Sequence, residues 1–437
     1  PVPPIVWSAV ATGRDPTTHA DLGYQTQVVK GLSVPLRIQP RQVGLFQLFH
    51  TVLPFFHMTR SVPVKSYMRE SKALWSMASD CGLRSAAVNW WVSWPAERIR
   101  GEVVTDHAWL KLAGPPGPAA SAESASSWSA AEQSANVQVI GEGSIGARSP
   151  LRPDGLPLLL ERETWPPTLL IELAHLAGPE PADSVRALYG PPPPTAALET
   201  FTRLGIPHDV LRSDLFYAQA AAWLTDRSRP DLALLHLPGP DVLRRVLLRG
   251  IPDPVARERA RSEALTAYWE TLDPAVGAFL RAAADNEDIP TADRSAGEPG
   301  EADPRGTDDH PPPLAGWLCL PGVHWPGQDR EERGFFALTS ANAVAGDEPG
   351  SPRRSAVAAI KPEDVAPTLL WLLGLPVSRE MDGVPRTGFL AADSGARTTE
   401  VRVIGTYGRP EPEDLHEVAG TLDQEMLERF RSLGYLR

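Results

Sequence analysis

The sequence predicts an α/β protein built on a mostly parallel sheet. Two short segments carry that prediction: Ser85-Ala86-Ala87-Val88-Asn89 and Asp231-Leu232-Ala233-Leu234-Leu235-His236-Leu237. Both are apolar at nearly every position, as strands covered on two faces require. Helical patterns separate them, and strands alternating with helices argue for a sheet with helices on both sides. Residues 69–81 read as one such helix, with Leu74, Met77, Ala78 and Cys81 on one face and Gly82 as its stop.

The remaining elements follow in chain order. Pro3 and Pro4 suit a first helical turn, where a missing N–H is no loss, and residues 5–11 continue that helix. Residues 263–284 read as a helix, 334–338 as a short strand, and 364–374 as a helix stopped by Gly374. Residues 315–320 complete the set as a third strand, expected beside the other two at the centre of the sheet. Residues 114–136 contain Trp128 as their only large apolar side chain, and 285–313 contain only Ile289. Neither stretch can bury enough surface to offset the entropy of ordering, so both are expected to be flexible insertions, the second one acidic.

At 437 residues the chain can bury a large core. Its 42 basic and 54 acidic residues give a net charge of -12, which argues against a general nucleic-acid or anionic-membrane binder. Cys81 and Cys319 are the only cysteines, so a disulfide scaffold is excluded. No apolar run reaches the length of a transmembrane segment.

Several blocks carry a family resemblance. The opening Pro3-Pro4-Ile5-Val6-Trp7-Ser8-Ala9-Val10-Ala11-Thr12-Gly13 and the following Pro16-Thr17-Thr18-His19 form the first. Lys72-Ala73-Leu74-Trp75, then Trp90-Trp91-Val92-Ser93-Trp94-Pro95-Ala96-Glu97, then Gly101 and Val103-Val104-Thr105-Asp106 form the second. The third is Asp364-Val365-Ala366-Pro367-Thr368-Leu369-Leu370 with Met381-Asp382-Gly383, and Leu433-Gly434-Tyr435-Leu436 closes the chain. Together they resemble the bacterial type I phosphodiesterase/nucleotide pyrophosphatase family of the alkaline phosphatase superfamily. The resemblance implies one alkaline-phosphatase-like α/β/α sandwich over residues 1–437, with a small variable cap at 106–167. It also implies an Asp-Gly strand ahead of the first block, and nothing stands before Pro1, so the chain reads as N-terminally incomplete against the family.

The same resemblance implies two zinc ions, or other divalent metals, and a Ser or Thr nucleophile. Here Pro3 stands at the nucleophile position and has no hydroxyl. Ser8 and Thr12 are the nearest hydroxyls, but both would face along the helix and not from its tip. The family's first metal pair, Asp-x-x-x-His, becomes Asp241 and Arg245. A guanidinium has no lone pair to give. At about 4 Å from a divalent ion it would be repelled by roughly 8 kcal/mol at an effective dielectric near 20. The second pair, Ser-Asp-His-Gly, has no counterpart after residues 315–320. Asp308-Asp309-His310 spells part of it inside the acidic insertion. His324 stands where the family places its last metal-binding His. His19 keeps the family's His but is followed by Ala20 where the family has Gly. Cys319-Leu320-Pro321 matches a sulfatase signature for three positions and fails at its arginine.

Two readings follow. In one, the chain is a pseudoenzyme, with no cofactor expected, that binds a small phosphorylated ligand or a protein partner. Asp241 and His324 are then vestigial metal positions, and Arg245 and His19 are candidate ligand contacts. In the other, a remodelled site hydrolyses phosphoesters using one metal or Arg245, since arginine can hold phosphate bidentately. A hydrolase also needs an activated nucleophile.

Overall fold

The computed structural model describes residues 3–15, 23–29, 35–36, 59–113, 162–177, 193–284, 314–319, 335–340, 360–387, 401–410 and 423–432. Helix α1 (Pro3–Thr12) opens the chain, followed by β1 (Gln25–Val29), β2 (Pro35–Leu36) and β3 (Thr59–Pro63). Next come α2 (Leu74–Asp80), β4 (Ser85–Val88), β5 (Gly101–Val104), α3 (Ala108–Ala113), β6 (Thr164–Trp165) and α4 (Leu169–Ala177). Helices α5 (Thr195–Arg203) and α6 (His208–Ser228) lead into β7 (Leu232–Leu235), α7 (Gly239–Gly250) and α8 (Pro254–Ala284). The last elements are β8 (Leu314–Cys319), β9 (Phe335–Ser340), α9 (Val365–Leu372), β10 (Val377–Ser378), β11 (Val403–Ile404) and α10 (Asp423–Ser432).

The fold is mixed α/β. The central sheet has the order β6-β5-β4-β7, with β5, β4 and β7 parallel and β6 antiparallel at one edge. Alternation along the strands sorts the core. Val88 and Val104 pack with Phe216, Tyr217, Leu224 and Leu173 of α6 and α4. Ala87 and Val103 pack with Val10 and Ala11 of α1, Trp75 of α2 and Val365 of α9. Helices therefore cover both faces, which is why both sides of these strands carry apolar residues at Ala87, Val88, Val103 and Val104. Thr164 and Trp165, near the end of the span assigned to a cap, form the sheet's edge strand β6.

Three expectations change. β8 does not lie beside β7: it pairs antiparallel with β9, Leu314 opposite Ser340 and Cys319 opposite Phe335. An apolar run names a strand but not its partner, and here the partner is the next strand in sequence. The helix read at 69–81 is shorter, because Arg69 leaves it to enter the buried network described below; a 3-10 turn at Ser66–Met68 precedes α2. The helix read from 263 starts earlier, at Pro254, where the Asp253 side chain accepts from the Ala256 amide at 2.8 Å. Proline in a first turn beside an aspartate N-cap is a strong helix start.

The segment containing Met381-Asp382-Gly383 docks on the end of α1. Both Asp382 N and Gly383 N donate to Gly13 O, at 3.0 and 3.1 Å. Gly13 has φ +71, and a Cβ there would meet the Met381 side chain at 3.0 Å, so the glycine of the opening block is needed twice over. Among the described residues, no helix is long and apolar enough to cross a membrane.

Candidate functional site

Because β5, β4 and β7 run in one direction, the chain leaves all three at one edge of the sheet, where ligands collect in open α/β folds. His236 follows β7 at this edge and is fully enclosed. Trp7 of α1 lies against it at 4.3 Å between ring centroids, Trp90 at 5.9 Å and Trp91 at 6.2 Å. Its Nδ1 donates to the Asn89 carbonyl at 2.9 Å, and Asn89 Nδ2 returns a bond to the His236 carbonyl at 3.0 Å. Burial pushes the imidazole down to about 4, against the pull of Asn89 and Asp106. His236 is a neutral imidazole at neutral pH, with its proton on Nδ1.

The turn after β4 is strained. Asn89 and Val92 have φ of +58 and +61. Asparagine tolerates this region, but a β-branched residue there is an outlier that its surroundings must enforce. Asp106, at the end of β5, helps to do so: its Oδ2 accepts from Val92 N at 3.3 Å, and its Oδ1 lies 3.2 Å from His107 Nδ1. His107 stacks on Trp94 at 4.8 Å. Beyond the turn, Glu97 Oε2 accepts hydrogen bonds from Trp75 and Ser76 of a distant segment and forms an ion pair with Arg69. Arg69 Nη2 lies 2.7 Å away, Trp75 Nε1 2.6 Å and Ser76 Oγ 3.1 Å. This network joins the Lys-x-Leu-Trp and Trp-Pro-Ala-Glu blocks into one structural unit.

Past His236, Pro238 leads into α7. Gly239 N donates to Oδ2 of the buried Asp214 of α6 at 2.7 Å, and Tyr268 of α8 donates its hydroxyl to the same oxygen at 2.7 Å. A Cβ on Gly239 would come within 2.4 Å of Tyr268 and 2.6 Å of Asp214, so only glycine lets the three elements meet. One turn into α7, Arg245 Nε donates to Asp241 Oδ2 at 2.8 Å. The buried Tyr24 lies in the field of both: burial holds its phenol far above its ordinary range, with Arg245 opposing and Asp241 adding to the effect. Helix α10 closes this side, Phe430 packing on Tyr24 at 5.4 Å and on Trp91 at 5.6 Å. Lys65–Asp423 at 3.3 Å and Arg429–Asp209 at 3.1 Å fasten it.

Of the residues singled out from sequence, Pro3 begins α1 and is buried, one turn before the Trp7 that touches His236. Asp241 and Arg245 are joined to each other. His19 and His324 lie outside the described residues, as do Asp308, Asp309 and His310 and all of 114–136 and 285–313. His236 and Asp214 were missed as site residues. His236 was read only as part of a strand, and Asp214 sits in an ordinary helical pattern. The one available signal was the position of His236, five residues before Asp241, where the resemblance read from the sequence would place a Tyr.

Among the described residues, the side chains at Pro3, Asp241 and Arg245 do not fit the zinc pair that the resemblance implies. Pro3 offers no side-chain oxygen, and the carboxylate of Asp241 is already held by a permanent cation. Comparison with protein-family models, with curated proteins and with solved structures found no match to this chain.

Proposed function

We propose that this protein is a degenerate relative of the type I phosphodiesterases of the alkaline phosphatase superfamily, acting as a binding module without phosphoesterase turnover. The observation that carries the reading is the Arg245–Asp241 pair at 2.8 Å. At the position where the resemblance calls for a metal ion between a carboxylate and an imidazole, a guanidinium supplies the positive charge directly. It can neutralise a phosphate as it neutralises Asp241, but it cannot lower the pKa of a hydroxyl by coordination. Pro3 removes the hydroxyl as well. The enclosed, neutral His236 adds an apolar and aromatic wall. A small phosphorylated ligand is the class that suits this edge, held by Arg245.

Asp241 competes with such a ligand for the guanidinium. Asp241→Asn is therefore expected to strengthen phosphate binding about tenfold, since deleting a negative charge about 6 Å from the anion is worth roughly 1.4 kcal/mol at an effective dielectric near 40. Calorimetry with inorganic phosphate, AMP and phosphocholine on both proteins checks this. Weak binding by the native chain and tighter binding by the variant support the anion site. No heat from either protein with any of the three would remove it and leave a protein partner as the occupant.

A further inference from the structure

We propose that Asp214 is a proton-operated clamp on the N-terminus of α7, the helix that presents Asp241 and Arg245. The geometry is that of a shared acceptor. One carboxylate oxygen, inside the protein, receives a backbone N–H from α7 and a phenol hydroxyl from α8, each at 2.7 Å. Both donors are neutral, so among the described residues the charge of an ionised Asp214 has no cation in contact. Arg429 of α10 acts on it only through space, and Asp209 of α6 opposes Arg429 while being paired with it at 3.1 Å. Burial, the largest influence, raises the Asp214 carboxyl to about 7, with Tyr268, Gly239 and Arg429 pulling the other way.

Protonation changes the strength of the grip. An ionised oxygen accepts hydrogen bonds about twice as strongly as a neutral one. As pH rises through neutrality, Asp214 draws the Gly239 amide and the Tyr268 hydroxyl more tightly, and the first turn of α7 is held harder. Gly239 cannot evade this contact, because its Cα already lies against both partners with no room for a Cβ. The clamp as such does not depend on the nature of the ligand. Its role as a regulator of binding rests on the anion-site reading given above.

The test reads the Gly239 amide by NMR in the full chain between about pH 5 and about pH 9. The expected result is a downfield displacement of the amide proton with one inflection near pH 7. Asp214→Asn should abolish the inflection, and Asp241→Asn should retain it. Tyr268→Phe removes one of the two donors that favour the charged form, so its inflection should move to higher pH; this arm serves if Asp214→Asn does not fold. A flat Gly239 amide in the native chain, or an inflection that survives Asp214→Asn, overturns the clamp. Phosphate calorimetry is read apart from this. An inflection without phosphate binding keeps the clamp and removes the anion site, whereas phosphate binding with a flat amide removes the clamp alone.

Discussion

Glu97→Ala is expected to lower the unfolding free energy by about 3–5 kcal/mol, the range for breaking a buried ion pair from one side. The Arg69 side chain is 0% exposed, and Glu97 is the anion in contact with its guanidinium. Removing the carboxylate leaves a buried cation with no counter-charge in contact among the described residues, and it strands the Trp75 indole N–H and the Ser76 hydroxyl. The surface provides the contrast. Lys72–Asp80, at 2.9 Å but with Asp80 40% exposed, should cost no more than about 1 kcal/mol when Asp80 is replaced by Ala. Urea unfolding of the two variants compares them directly. A Glu97→Ala loss as small as that of Asp80→Ala would mean that the two sequence blocks are not held together by this network.

The second large effect is a pH dependence that the native protein conceals. His236 has its folded value lowered from 6.5 to about 4, so the stability it contributes is present above pH 6.5 and is lost as pH falls towards 4. At roughly 1.4 kcal/mol per pH unit that loss amounts to about 3 kcal/mol. Asp214 runs the opposite way. Its folded value is raised from 3.8 to about 7, so its contribution is fully present below pH 3.8 and disappears as pH rises through 7. Between pH 4 and 6.5 the unfolded chain carries a proton on His236, and the folded chain carries one on Asp214. The two slopes nearly cancel. Asp214→Asn keeps an acceptor for Gly239 and Tyr268 but cannot titrate, so the His236 slope should stand alone. The variant is expected to lose about 3 kcal/mol on acidification from pH 6.5 to 4, with the native chain much flatter over the same window. Denaturant midpoints taken across that window decide it; parallel profiles would contradict the assignment of the two buried groups.

Much of the fold was legible because its signals are local. The segments at β4 and β7 are continuously apolar, and burial on both faces is the physical reason. The helix starts at Pro3 and Pro254 follow from the chemistry of proline in a first turn, although the second was read nine residues late. β8 was legible as a strand but not as the partner of β9, since pairing depends on a register that composition does not specify. The site divides in the same way. Asp241 and Arg245 are four residues apart on one helix, so their pairing could be foreseen. His236 acquires its properties from Trp7, Asn89, Trp90 and Trp91, which come from distant parts of the chain, and Asp214 acquires its own from a backbone N–H twenty-five residues on. Only the assembled structure brings those groups to one edge.

The central claim is that this edge has exchanged a metal for a guanidinium. The most direct measurement is zinc titration of the full chain by calorimetry, with turnover of nitrophenyl phosphate mono- and diesters followed on the same samples. A functional zinc pair needs about six ligands in their deprotonated or neutral forms, and Arg245 occupies the carboxylate that would begin the set. The account predicts well under one equivalent of zinc and turnover no faster than the buffer background. Two equivalents bound tightly, with turnover that Asp241→Ala abolishes, would contradict it.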